Sequence, residues 1–286
     1  MITIKNNDLT AIISDKGAEL QSLRANGIEY LWQARPEFWA KHSPVLFPVV
    51  GELKNGFYIF DNREYKLSRH GFARDKIFRA EQRSATSAIF TLQSDEETLR
   101  VYPFEFILQV EYKIAGNELT CTYHVQNTGD KTMYFSVGGH PAFNVPLNSS
   151  LQYEDYYLKF NNDDILKKYR LSNGLISNDT ASIRLVNKIL PLKKELFYED
   201  AIVLKHIKSN AISLKSDKDP RGLHFTFEHF PYFGIWAAKD APFVCLEPWC
   251  GIADSADHDN LLKKKEGINE LAPAAAWKIS WSAALF

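Results

Sequence analysis

Histidine and carboxylate side chains are the groups best suited to moving protons near neutral pH. This chain sets one of each in a constrained stretch. His140 lies in Ser136-Val-Gly-Gly-His-Pro-Ala-Phe-Asn144, with a Gly-Gly pair before it and Pro141 after it. Glycines permit backbone angles that a Cβ forbids and proline fixes φ, so this stretch is expected to hold one imidazole at a defined place near a strand end. Glu247 closes the apolar run Phe243-Val-Cys-Leu246 and precedes Pro248 and Trp249. A third stretch, Arg69-His-Gly-Phe-Ala-Arg74, sets His70 beside a glycine and between two arginines. We expect the three stretches to converge on one cleft, with His140 and Glu247 as an acid–base pair.

Each candidate also has a plainer reading. His70 can be a surface histidine, and Glu247 a strand-end carboxylate facing water, although a carboxylate is rarely buried without a partner or a task. Trp249 reads either as core filler or as an aromatic face next to the acid. Asp200, ahead of Ala201-Ile-Val-Leu204, reads alone as a turn residue. The other histidines, His42, His124, His206, His224, His229 and His258, show no metal-ligand spacing, and neither a phosphate-binding glycine loop nor a G-x-S-x-G elbow is present. Two histidines, a few carboxylates, two arginines and aromatics, with no cofactor signature and no metal expected, suit proton transfer on a neutral polar substrate.

The elements that must position these groups read as strands. Phe106–Ile114 and Glu118–Gln126 alternate apolar and polar residues around a Gly116-Asn117 turn, the clearest antiparallel pair in the chain. Leu9–Ser14, Glu19–Arg24 and Ile28–Trp32 form a second group around Asn26-Gly27. Later strands are expected at 201–204, 211–215, 223–228, 233–238, 243–246 and 277–282. Helical pattern is limited to single turns at Pro36–Lys41 and His258–Lys265. The segment Asn161–Leu196 is polar and reads as surface loops and edge strands. Many closely spaced strands with few short helices indicate an all-β, large antiparallel sandwich. With no linker or repeat, the 286 residues are expected to form a single domain over 1–286.

A net charge of −1 favours neither nucleic acid nor anionic membrane. No apolar run of about 18 residues is present to span a membrane, and the N-terminus lacks the apolar core of a signal peptide. Three cysteines, an odd number without zinc spacing, read as buried thiols in a reducing, cytoplasmic setting.

The motifs Pro44-Val-Leu-Phe-Pro48, His70-Gly-Phe-Ala-Arg74, Gly139-His-Pro-Ala-Phe-Asn144 and Cys245-Leu-Glu-Pro-Trp249 resemble, in order and over nearly the whole chain, the aldose 1-epimerase (galactose mutarotase) family, its LacX-like mutarotase-related branch in particular. The resemblance implies a β-supersandwich with a carbohydrate cleft and cofactor-independent interconversion of the α and β anomers of an aldose. It implies Glu247 as general base and His140 as general acid, and His70, Asp200 and Arg74 as substrate-binding residues; Trp249 is expected to stack on the sugar. One departure stands out: relatives often carry Gly-Arg where this chain has Gly51-Glu52. Glu52 can accept sugar hydroxyls but repels phosphate. The rivals are a hexose-6-phosphate 1-epimerase, a non-catalytic carbohydrate-binding protein on the same fold, and a metal-dependent sandwich enzyme using the histidines. The only partner expected is the sugar, for a monomer or homodimer.

Overall fold

Alternation of apolar and polar residues becomes, in the computed structural model of Met1–Phe286, two large antiparallel sheets. The hairpin Phe106–Ala115/Glu118–Asn127 pairs in full register from Phe106↔Asn127 to Ala115↔Glu118. Every second residue of the first strand, from Phe106 to Ile114, is buried, as the two-residue strand period requires. This hairpin sits inside a nine-stranded sheet that runs in space from Ile189–Pro191 through Tyr156–Phe160, Ala211–Ser216, Asp219–Thr226, Ala276–Leu285, the hairpin itself and Ser87–Gln93 to Arg79–Ser84.

The second sheet carries the site. Its order is Leu175–Arg184, Ile165–Ser172, Ile202–Lys205, Tyr232–Trp236, Phe243–Cys250, Val137–Gly139, Val45–Leu46, and Ala142–Asn144 also pairs with Phe243–Cys250. All eight residues of Phe243–Cys250 are buried, as a central strand covered on both faces must be. The two sheets meet through aromatic contacts such as Phe227 with Phe233 at 4.1 Å and Phe143 with Phe225 at 5.9 Å. A four-stranded sheet, Ile2–Lys5, Leu9–Ile13, Leu20–Ala25 and Ile28–Glu29, adds its buried leucines and isoleucines to the same core. The fold is thus the all-β sandwich expected, and no helix is long and apolar enough to cross a membrane.

Two local expectations are corrected. The one α-helix is Glu96–Val101, capped by Asp95, whose side chain accepts from the Thr98 N–H at 2.7 Å; the turn at His258–Lys265 shrinks to a 3-10 segment at Leu262–Lys264. Asn161–Leu196 does supply edge strands, Leu175–Arg184 to one sheet and Ile189–Pro191 to the other, with the pair Ile165–Ser172 and Leu175–Arg184 as its longest element. Gly138 and Gly139 are strand residues without positive φ. A Cβ on Gly138 would come within 2.7 Å of Trp249, and one on Gly139 within 2.7 Å of the Tyr123 hydroxyl. Close packing beneath His140, not an unusual backbone angle, is what these glycines supply.

Candidate active site

Five strands of the second sheet and the loops at their ends surround a cavity of about 340 Å³. Strand alternation explains its floor. Val244 and Leu246 turn into the main core, while Glu247 and Trp249, two residues apart, open onto the cavity. A second cluster of buried residues, among them Ile176, Ala201, Val203, Ile252 and Ala253, forms the apolar part of the wall. The charged and polar part brings together His70, Arg74, His140, Asp200 and Glu247 from four separated segments.

His140 Nε2 lies 3.1 Å from Glu247 Oε2. Burial pushes the His140 imidazole down to about 3; the positive charges of Arg69, Arg74 and Lys41 push the same way. Burial likewise pushes the Glu247 carboxyl well above its ordinary range, Asp200 adds to that, and Arg69 and the Trp249 indole oppose it. Each group is driven toward its neutral form, because desolvation penalises both charges, so the resting pair is neutral and carries one titratable proton.

The rings around His140 fix its plane. Trp39 stacks on it at 4.9 Å and 28°, Trp236 meets it edge-on at 5.7 Å, and His70 does so at 5.9 Å. Trp39 is held in turn by its loop: its carbonyl accepts from Trp32 Nε1 at 2.9 Å, and the Glu19 carboxylate caps the loop end at the N–H groups of His42 and Ser43.

His70 adopts φ +66°, an uncommon conformation for a residue other than glycine. It is pinned to Gly51 by two hydrogen bonds: the His70 N–H donates to the Gly51 carbonyl at 2.9 Å, and the Gly51 N–H donates to His70 Nδ1 at 3.1 Å. Burial keeps the ring neutral, and a neutral imidazole accepts at one nitrogen only. The Gly51 N–H at Nδ1 and the Arg69 Nε–H, which donates toward Nε2 at 3.3 Å, therefore compete for the one accepting nitrogen of the neutral ring.

Asp200 sits at φ +153°, a region used essentially by glycine, and its Oδ1 accepts from the Ala201 N–H at 2.7 Å. Arg74 donates from Nη2 to the Arg69 carbonyl at 2.7 Å, while its Nε is buried without a partner. Glu52 does not line the cavity. Its Cβ lies beside Gly174, and its carbonyl accepts from the Asp254 N–H at 2.9 Å. Among the wall residues to which the sequence assigned no role are Trp39, Lys41, Arg69 and Trp236. Only Arg69, adjacent to His70, carried a signal.

Donor atoms of His140, Cys245 and Glu247 lie within 4.8 Å of one another. Burial keeps the Cys245 thiol protonated, pushing it well above the usual thiol range, and thiols ligate metals as thiolates. The positive charges of Arg69, Arg74 and Lys41, which reach His140, also oppose a divalent cation. This donor set fits proton transfer better than metal binding.

The sequence profile of aldose 1-epimerase matches residues 1–261. Protein LacX, plasmid, of Lactococcus lactis subsp. lactis is 35% identical over 98% of this chain and 97% of its own. Among solved structures, a galactose mutarotase related enzyme from Lactobacillus acidophilus superposes with TM-score 0.95 at 36% identity, covering 100% of this chain and 97% of that one. A galactose mutarotase-like protein from Lactobacillus casei does so with TM-score 0.93 at 32% identity, covering both chains in full. By these matches, which span the strands and loops that build the cavity, the chain belongs to the aldose 1-epimerase family.

Proposed function

We propose that this protein interconverts the anomers of an aldose by acid–base ring opening and reclosure, with Glu247 and His140 as the proton-transfer pair. The observation that carries this reading is the buried 3.1 Å contact between His140 Nε2 and Glu247 Oε2, open to a cavity that also presents His70, Arg74 and Asp200. Family membership supports an isomerase acting on sugars; the roles of the residues are our assignment.

In the proposed cycle Glu247, as carboxylate, takes the proton of the C1 hydroxyl while His140 gives one to the ring oxygen. The C1–ring oxygen bond breaks and the open-chain aldehyde forms. Rotation about C1–C2 presents the other carbonyl face, and reversal closes the opposite anomer. One proton leaves the sugar and one enters, so the pair ends with the single proton it began with, and no cofactor enters the balance. Each partner typically contributes about 10²–10⁴-fold.

Polarimetry of freshly dissolved α-D-glucose and α-D-galactose tests the proposal, with wild type and Glu247→Gln compared side by side. Wild type should speed the decay of rotation, and Glu247→Gln should lose most of that acceleration. No acceleration by wild type, with saturable sugar binding by calorimetry, would instead make the protein a carbohydrate-binding module.

A second reading, an aldose bearing an anionic group such as a hexose 6-phosphate, is favoured by one observation. Lys41, Arg69 and Arg74 all line the cavity, and the one carboxylate within ion-pair distance of Arg74 is Asp75 at 3.7 Å. Against them stand Asp200 and a His140–Glu247 pair that is neutral as a unit. Glu52 is not among the residues that line the cavity. Rates on glucose 6-phosphate and glucose at equal concentration decide between the readings.

A further inference from the structure

Trp249 lies where a sugar-stacking platform was expected, but its ring is laid down on protein. Gly138 pairs with Trp249 in one neighbouring strand, and Gly234 pairs with Glu247 in the other. A Cβ on Gly138 would fall 2.7 Å from Trp249 Cδ1; one on Gly234 would fall 2.5 Å from Cζ2 and Cη2. The indole therefore lies across the sheet over both glycines. Cδ1 and Cζ2 flank the indole N–H, so the edge that carries Nε1 is the one running from Gly138 to Gly234. At its far end it meets Glu247, whose Cβ is 3.3 Å from the same Gly234 position. Nε1 is buried and meets no acceptor at full hydrogen-bond geometry; short of that geometry it reaches the Glu247 carboxyl. A buried donor so poorly satisfied is rare enough to require an explanation.

The His140–Glu247 contact supplies one. At 3.1 Å the two groups are in contact. Ring opening needs one at the C1 hydroxyl and the other at the ring oxygen, so a bound sugar must part them. Once parted, the carboxylate has lost that polar neighbour.

We propose that Trp249 is a positioning residue whose indole N–H takes over the Glu247 carboxylate when substrate separates it from His140. This rests on the reading of Glu247 as the base. The indole already acts on the carboxylate in the direction a donor must, favouring its ionised form. Arg69 acts in the same sense, Asp200 in the opposite one, and the neighbouring Cys245 stays a neutral thiol. Gly138 and Gly234 are, on this view, the space that lets the ring lie flat enough to aim the N–H.

The first test is the indole 1H–15N resonance of Trp249 in wild type. It is assigned by Trp249→Phe or, should that variant not fold, by cross-peaks to Gly138 and Gly234. The resonance should titrate with the Glu247 carboxyl and stop titrating in Glu247→Gln; a resonance indifferent to both overturns the proposal, whether or not the protein turns over a sugar. The second test is the pH profile of Trp249→Phe, which keeps a ring and removes the N–H. Without the donor the carboxylate binds its proton more tightly, so the acid limb of kcat/KM should move up by about one pH unit, with kcat reduced about tenfold and KM little changed. A raised KM with unchanged kcat and an unmoved limb would make Trp249 a stacking platform and sink the idea.

Discussion

His140 Nε2 and Glu247 Oε2 face each other at 3.1 Å, with side-chain exposures of 11% and 2%. That contact makes stability depend on pH in a definite direction. The folded pair holds one proton. The unfolded chain holds two below the ordinary glutamate value of 4.5, one between 4.5 and the ordinary histidine value of 6.5, and none above 6.5. Group by group, lowered His140 costs stability as pH falls below 6.5, raised Glu247 costs it as pH rises above 4.5, and between those values the two cancel. Above 6.5 the unfolded state binds fewer protons, so wild type should lose about 1.4 kcal/mol per pH unit from this pair until the folded pair itself titrates. Glu247→Gln removes that slope. Urea unfolding of both proteins from pH 6 to 9 should show the variant gaining on wild type; parallel curves would mean the folded pair carries no excess proton.

Backbone strain at Asp200 predicts an inverted substitution order. At an ordinary position alanine is more stabilising than glycine by roughly 0.5–1 kcal/mol. At φ +153° the order should reverse, with Asp200→Gly melting higher than Asp200→Ala by about 1–2 kcal/mol. Both should raise KM alike, since both delete the carboxylate. Equal melting temperatures would show that the strain is relieved by local shifts.

Gly139 is a lever on the acid–base pair from below. A Cβ there meets the Tyr123 hydroxyl at 2.7 Å and Trp281 Nε1 at 2.9 Å, and those two atoms are hydrogen bonded to each other at 2.9 Å. Gly139→Ala should cost about 1–3 kcal/mol through overpacking and lower kcat by displacing His140. Tyr123→Phe in the same background removes the clashing hydroxyl and should restore part of both. No recovery would place the damage elsewhere.

Charge at the cavity wall predicts ligand preference. If the aldose carries an anionic group, Arg69→Gln should weaken binding of glucose 6-phosphate by about tenfold or more, as loss of a charge-assisted hydrogen bond does, and leave glucose binding much less affected. Calorimetry with both sugars checks this. Equal losses would tie Arg69 to a hydroxyl shared by the two.

Lys265 is a structural test separate from the chemistry. Its Nζ lies 2.7 Å from Asp254 Oδ1 with both side chains almost fully buried, and Asp254 follows Ile252 and Ala253 of the cavity wall. Lys265→Met removes the cation from a buried carboxylate that keeps only the Lys54 N–H at 2.9 Å and the His258 ring at 3.6 Å, and chemical denaturation should show a loss of about 3 kcal/mol. The double variant Lys265→Met/Asp254→Asn should recover much of it.

Residue pattern alone determined the central hairpin and picked out the candidate stretches. The Gly116-Asn117 turn between two strictly alternating runs leaves one hairpin register that buries Phe106, Leu108 and Val110 on the same side, because a one-residue slip would turn all of them to solvent. The stretches around His70, His140 and Glu247 stood out by local chemistry, and a chain that buries so many motif residues has to bring them near one another. Asn161–Leu196 gave no such signal. Its strands Ile165–Ser172 and Leu175–Arg184 carry charges on both faces and bury little, so the period that reports a half-buried strand is absent. Their tip nevertheless supplies Leu171, Gly174 and Ile176 to the cavity wall.

Only the tertiary structure decided the protonation of the site, the company of His140 and the position of Glu52. Desolvation, the stacking of Trp39 from a loop some hundred residues upstream, and the convergence of Lys41, Arg69 and Arg74 are sums over neighbours distant in sequence. Local spacing names the groups that can carry a proton; whether they carry it depends on what folding removes from water around them.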